Sequence, residues 1–230
     1  DDHVRLVRGS HIVTRRLFDH DRAYIFQNPD GRVVFAIPYE TDFTLIGTTD
    51  RDHDGSADRV ECTPEEVDYL REAAGGYFRQ DIAPEDVVWT YSGVRPLYDD
   101  GAKSATQATR DYVLRVDGGD GQAPILNIFG GKITTYRRLA EAALEKLKPF
   151  VPAMKAPWTA SAPMPGGDFP VDGVEAQIAG LIERYPFLDD RWARRLVRAY
   201  GTEAAAVMGD AKQPEDLGRR FGYNLTEAEV

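Results

Sequence analysis

Apolar and polar positions change period several times along the 230 residues, and each change marks an element. Arg5 to Val13 alternates as a strand does, with Gly9-Ser10 inside it predicting a bulge or a close backbone approach. Ala23–Gln27 and Arg32–Ile37 are aromatic and β-branched, and Asn28-Pro29-Asp30-Gly31 between them supplies a fixed proline φ and a glycine free for a positive one. Phe43–Gly47 makes a third strand after the turn at Glu40-Thr41-Asp42, and such short connections predict antiparallel pairing. At Thr63-Pro64-Glu65-Glu66 the period becomes helical: Thr63 is the N-cap, Pro64 sits in the first turn and Glu66 completes a capping box. Val67, Leu70, Ala74 and Tyr77 then share one face.

Val87–Val94 is a continuous apolar strand that the Arg95-Pro96 pair is expected to end. Thr109–Val116, the Asp117-Gly118-Gly119-Asp120-Gly121 turn and Pro124–Phe129 predict a last hairpin, whose second strand runs through Gly130-Gly131 into a helix carrying Leu139, Ala140, Ala143, Leu144 and Leu147 on one stripe. Six prolines between Pro149 and Asp172, without periodicity, predict an extended linker laid over the first domain and pinned by Trp158. From Val174 the pattern is helical again, with Ile178, Leu181 and Ile182 on one stripe and Trp192, Leu196, Val197 and Tyr200 on another. Thr226 to Glu229 is a capping pattern that opens a helix the chain does not continue. The class is therefore α+β: a mostly antiparallel sheet domain with flanking helices over 1–149, a linker over 150–173 and a small helical domain over 174–230.

Composition adds exclusions. A hydrophobic share of 42% and a charged share of 29% describe globular material rather than a disordered tail, and a net charge of -10 argues against general nucleic-acid binding. Cys62 is the single cysteine, so an internal disulfide is excluded and a reducing compartment suits the chain. No run approaches eighteen apolar residues, which leaves membrane contact to a peripheral mode. Eleven acids against three basic residues between Asp52 and Asp86 make a stretch expected to face water and to repel an anion.

Candidate chemistry gathers at few places. Paired glycines at 130 and 131 allow a tight turn and close approach to a ligand, Lys132 adds a charge, and a helix beginning there would present its free N–H groups to an anion. Arg95 at the end of a strand is a rigid bidentate donor suited to phosphate or a polarised oxygen, the alternative being an ordinary salt bridge. His11 is either a hydrogen-bonded strand residue or a base titrating near neutral pH. Thr48 to Asp54 carries carboxylates and a histidine too tightly spaced for a regular metal shell, and reads as a solvated loop. Arg191, Arg194, Arg195 and Arg198 fall on one helical side, a face either solvated or available to anionic lipid.

In order along the chain, Val7-Arg8-Gly9-Ser10-His11-Ile12-Val13, Gly47-Thr48-Thr49-Asp50, Trp89-Thr90-Tyr91-Ser92-Gly93-Val94-Arg95-Pro96-Leu97, Thr109-Arg110-Asp111-Tyr112, Phe129-Gly130-Gly131-Lys132 and Arg184-Tyr185-Pro186-Phe187-Leu188 stand as they do in one flavoprotein family. The chain resembles, over nearly its whole length, the later part of the FAD-dependent, aerobic-type glycerol-3-phosphate dehydrogenases. That resemblance implies oxidation of sn-glycerol 3-phosphate to dihydroxyacetone phosphate, hydride transfer to FAD and delivery of electrons to a quinone at the cytoplasmic face of a membrane, with a homodimer left open. It implies Arg95 and Lys132 as holders of the substrate phosphate or its reacting oxygen and His11 as the base. Gly130, Gly131, Lys132, Ile133 and Thr134 would then lie along the flavin ring. No G-x-G-x-x-G follows a strand here, so the main FAD anchorage of that family is missing and the chain is expected to act as an inactive C-terminal fragment. Two other readings compete: an oxidase that gives its electrons to oxygen, and a non-enzymatic interaction or membrane-docking module built on the four arginines.

Overall fold

A computed structural model describes residues 4–105, 107–119 and 121–230. It divides into two compact units, Asp1–Met154 and Lys155–Val230. Asp120, in the turn expected between the last two strands, lies outside the described residues.

The first unit is built on β1 (Val4–Arg15), which is bordered on both sides. Along one edge runs β6 (Val87–Tyr98), antiparallel from Val4↔Tyr98 to Thr14↔Val87. Along the other, β4 (Phe43–Gly47) covers the second half of β1 and the two-residue β5 (Arg51–Asp52) the first half. Beyond β4 lie β3 (Val33–Tyr39) and β2 (Tyr24–Gln27), all antiparallel, as the short connections require. The pleat sends alternate residues to opposite faces. Ile12, Val34, Ala36 and Ile46 on one face are buried against Leu70 and Ala74 of α1 (Pro64–Gly75). Each buried isoleucine, valine or leucine among them contributes about 1.5–3 kcal/mol, which fixes the register, because a slip of one residue would reverse the faces. Helix α1 starts as its sequence dictates, with Thr63 as N-cap and Glu66 closing the capping box. Tyr77 lies beyond the helix and is exposed.

Two expectations are corrected in this sheet. Gly9 does not mark a bulge; the register breaks instead between Val13 and Thr14. Pro96 does not end the strand either, since β6 continues to Tyr98 with Pro96 opposite Leu6. On β6, an edge of this sheet, the missing proline N–H faces outward and leaves no ladder bond unmade.

A separate two-stranded sheet, β7 (Tyr112–Gly119) with β8 (Gln122–Gly130), leads to α2 (Tyr136–Leu147). Strand and helix are not contiguous: a single 3-10 turn, Ile133–Thr135, stands between them, with Lys132 as its cap.

In the second unit, α3 (Val174–Arg184), α4 (Asp190–Tyr200) and α5 (Ala204–Met208) pack around Ile178, Leu181, Leu196, Val197 and Met208. A short hairpin, β9 (Arg220–Gly222) with β10 (Leu225–Thr226), follows. Residues 155–173, expected to form a linker over the first domain, group with this unit. Gly166 accepts a bond from the Thr202 N–H at 2.9 Å, while Trp158 is exposed. The capping pattern at Thr226 opens only a 3-10 turn, and its Glu229 is recruited by Arg195. On the expected basic face, Arg194 pairs with Glu175 and Asp190, Arg191 lies over the Tyr223 ring, and Arg198 is exposed.

Candidate active site

Arg95 leaves β6 on the face of the sheet opposite α1, and its side chain runs across β1 rather than off the end of a strand. The guanidinium lies directly over Gly9: a Cβ at that position would stand 2.6 Å from the Arg95 Cζ. The close approach that a glycine within β1 predicts is therefore made by a cation. Its far end is gripped by the segment between β4 and β5, where Arg95 Nη2 donates to Thr48 Oγ1 at 3.1 Å and Nη1 to Asp50 Oδ1 at 3.3 Å. The other oxygen of Asp50 pairs with Arg110 Nη2 at 3.0 Å. One carboxylate thus holds two guanidiniums side by side, and Arg110 also donates to the carbonyls of Ala108 at 2.9 Å and Ala105 at 3.4 Å.

A cleft of about 430 Å³ opens in front of this pair, lined by Val94, Arg95, Pro96, Leu97, Arg110, Gly130, Gly131, Lys132 and Ile133. Arg95 and Lys132, 37 positions apart, meet because β8 delivers its end beside the end of β6. Gly130 and Gly131 have φ of 67° and 97°, a conformation that L side chains rarely adopt, and their backbone forms one rim of the cleft. No ion pair forms at Lys132 among the described residues. The dipole expected to begin there begins later, because α2 starts at Tyr136 and the 3-10 turn supplies little of it.

Of the residues expected at the site, Arg95, Gly130, Gly131, Lys132 and Ile133 line this cleft, whereas Thr134 and His11 do not. His11 shares the sheet face of Arg95, two residues along β1 from Gly9. Its ring stacks on Tyr91 with centroids 4.8 Å apart and planes 6° from parallel. Room for it on the other side comes from Gly47, where a Cβ would stand 2.8 Å from His11 Cγ and Nε2. Burial first, and the Arg95 cation second, push the His11 pKa down to about 4, so the ring is neutral at pH 7. Its Nδ1 is buried without a hydrogen-bond partner.

Sequence reasoning missed three participants. Arg110 stands just ahead of β7, where the only signal was its place in the Thr109-Arg110-Asp111-Tyr112 string. Thr48 and Asp50 were read as part of a solvated loop, but Thr49 between them is 1% exposed and the segment runs along β1 with the Thr49 N–H bonded to Ser10 O. The acidic stretch that follows is not uniformly solvated either, since Glu66 is fully buried.

Residues 1–137 match the FAD dependent oxidoreductase family. The chain is 44% identical over 227 residues to the glycerol-3-phosphate dehydrogenase of Pseudomonas aeruginosa, covering 99% of this chain and 44% of that protein. Similarity of the same degree extends to the aerobic glycerol-3-phosphate dehydrogenase of Escherichia coli, of which 45% is covered, and to the D-erythritol 1-phosphate dehydrogenase of Brucella abortus. The chain spans about half the length of the curated relatives it matches. Among solved structures, the glycerol-3-phosphate dehydrogenase of Bacillus halodurans complexed with FAD superposes with a TM-score of 0.67 at 26% identity, over 89% of this chain and 39% of that one. With most of its first unit inside the family match, this chain belongs to the FAD-dependent oxidoreductases.

Proposed function

We propose that this chain is the substrate-holding part of an FAD-dependent dehydrogenase that oxidises sn-glycerol 3-phosphate to dihydroxyacetone phosphate and passes the electrons to a quinone. The observation that carries the reading is the meeting of Arg95, Arg110 and Lys132 in one cleft. Three cations and the single carboxylate of Asp50 leave a formal charge of +2 there, which complements a phosphate monoester of about -1.5 to -2 at neutral pH. Arg95 meets the phosphate oxygens, and Arg110 and Lys132 add positive charge at the cleft. His11, neutral at pH 7, lies on the same sheet face but outside the cleft, and the family resemblance is what makes it the candidate to receive the proton of the hydroxyl being oxidised.

The residues present fit the edge of a flavin ring, not a whole dinucleotide. Gly130 and Gly131 bring bare backbone to the cleft, and Lys132 and Ile133 continue along it. FAD, when bound, supplies the two-electron acceptor. These residues would hold its ring against the cleft, exclude water and set Lys132 near the reacting oxygen. Among the described residues no helix is long and apolar enough to cross a membrane. The competing module built on the four arginines loses support from the ion pairs that engage Arg194 and Arg195.

The test uses a protein in which this chain is continued to the length of its relatives and loaded with FAD. Arg95→Ala should raise KM for sn-glycerol 3-phosphate about a hundredfold at unchanged flavin content, the loss expected of a charge-assisted hydrogen bond. Wild-type kinetics would refute the assignment. D-erythritol 1-phosphate as competing substrate decides the length of polyol accepted, and stopped-flow reoxidation by quinone against oxygen separates dehydrogenase from oxidase.

A further inference from the structure

Behind the two arginines lies a chain of buried polar groups that never reaches the cleft. We propose that Glu66 is a positioning residue for the site: its carboxylate fixes Thr49, so that Thr48 and Asp50 on either side hold Arg95 and Arg110 at the spacing a phosphate group needs. This inference rests on the reading of the cleft as a phosphate-holding site.

Glu66 closes the cap of α1, yet capping accounts for only one of its oxygens. Oε2 accepts from the Thr63 N–H at 3.1 Å, whereas Oε1 accepts from Thr49 Oγ1 at 2.8 Å, 17 positions away in sequence. A cap on a surface helix works equally well in water; Glu66 is instead fully buried, and burying a carboxylate costs several kcal/mol unless it is paired. Arg8 Nη2, 3.1 Å from Oε2, provides the pairing. Burial pushes the Glu66 pKa up, but the Thr63 amide, the hydroxyls of Thr49 and Ser10, and Arg8 together outweigh it and hold the carboxyl below its ordinary range.

Thr49 is held at three points. Its hydroxyl donates to Glu66 and accepts from the Ser10 N–H at 2.9 Å, and its own N–H donates to Ser10 O at 3.3 Å. Neighbouring side chains on an extended backbone point to opposite sides, so pinning Thr49 toward α1 turns Thr48 and Asp50 toward the other face. There they meet the guanidiniums, Thr48 Oγ1 with Arg95 and the two oxygens of Asp50 with Arg95 and Arg110. Cap, threonine and arginine pair form one connected path through the sheet, and releasing its buried end frees the segment 48–50 to move with both cations.

In the FAD-loaded, full-length protein, Glu66→Gln should raise KM for sn-glycerol 3-phosphate roughly tenfold while kcat stays within about twofold and flavin content is unchanged. Thr49→Val, which leaves the cap of α1 intact, should do the same, Thr49→Ser should restore the wild-type value, and the double variant should be no worse than either alone. Thr63→Ala weakens the same helix cap without touching Thr49, and should lower Tm with KM unchanged. The proposal is overturned if Glu66→Gln and Thr49→Val leave KM at the wild-type value, or if Thr63→Ala raises it as much as they do. If Arg95→Ala raises KM and these variants do not, the cleft stands and only the positioning role falls; if Arg95→Ala has no effect either, both fall together.

Discussion

Gly9→Ala tests the arrangement without removing any charge. Its new methyl group would stand 2.6 Å from Arg95 Cζ and 2.5 Å from Nη2, whereas carbon contacts settle at about 3.5–4.0 Å, so the guanidinium must retreat by roughly 1 Å. That displacement breaks the bonds to Thr48 at 3.1 Å and Asp50 at 3.3 Å. A misplacement of about 1 Å at a positioning group costs up to about a hundredfold, so kcat/KM for sn-glycerol 3-phosphate should fall between tenfold and a hundredfold, about 1.4–2.8 kcal/mol. Stability should hardly change. Alanine in place of a strand glycine gains about 0.5–1 kcal/mol, against a similar loss from the two severed bonds, and a net change under about 1 kcal/mol moves Tm by at most about 2–4 °C in a chain of this size. Gly93→Ala is the control: it faces Gly9 across the same pair of strands, yet a Cβ there meets nothing within 4 Å. Steady-state kinetics and a thermal melt on both variants decide the matter. Equal kcat/KM for Gly9→Ala and Gly93→Ala would refute the reasoning that the guanidinium's seat over β1 matters.

Three further outcomes are expected. His11 should titrate near pH 4 by NMR, and Arg95→Met should bring its pKa up by removing the neighbouring cation; a wild-type value near 6.5 contradicts the burial described. Because the unfolded chain takes up that proton near pH 6.5 and the folded chain refuses it until about pH 4, stability present above pH 6.5 should be lost as pH falls toward 4. The loss is of the order of 3 kcal/mol and should be absent in His11→Leu, as urea titrations at several pH values would show. Glu229→Ala should destabilise the second unit by about 1–3 kcal/mol in denaturant melts, since it removes a carboxylate, 1% exposed, that pairs with Arg195, while Arg195 keeps its bonds to Asn224. Lys132→Met should lower turnover more than flavin content, because Lys132 lies at the cleft while the main cofactor anchorage is sought elsewhere; equal losses of both would assign it to cofactor retention.

Legibility differed by the range of the interaction involved. The strands, the turn at Asn28 to Gly31 and the capped start of α1 depend on residues within a few positions of one another, and the alternation of apolar side chains displays them. Arg95 and Lys132 were visible for the same reason, as charged residues beside glycine and proline. What brings them together was not visible, because the ends of β6 and β8 approach through pairings that local sequence does not encode. Thr49 shows the limit most clearly. A threonine in a run of acids reads as solvated, and only the fold reveals that Glu66, itself part of a routine capping box, reaches back to it. Glycine gave a half-signal: Gly9 announced close approach without saying that a guanidinium from β6 would make it. Proline misled at position 96, since its rule applies to central strands and β6 lies at an edge.

The most direct measurement titrates the 230-residue chain, isotope-labelled, with sn-glycerol 3-phosphate and separately with glycerol, following backbone amides and arginine side chains by NMR. The account predicts shifts confined to Val94–Leu97, Arg110 and Gly130–Ile133 with the phosphate ester and none with glycerol. Shifts elsewhere, or the same shifts with both compounds, would contradict it.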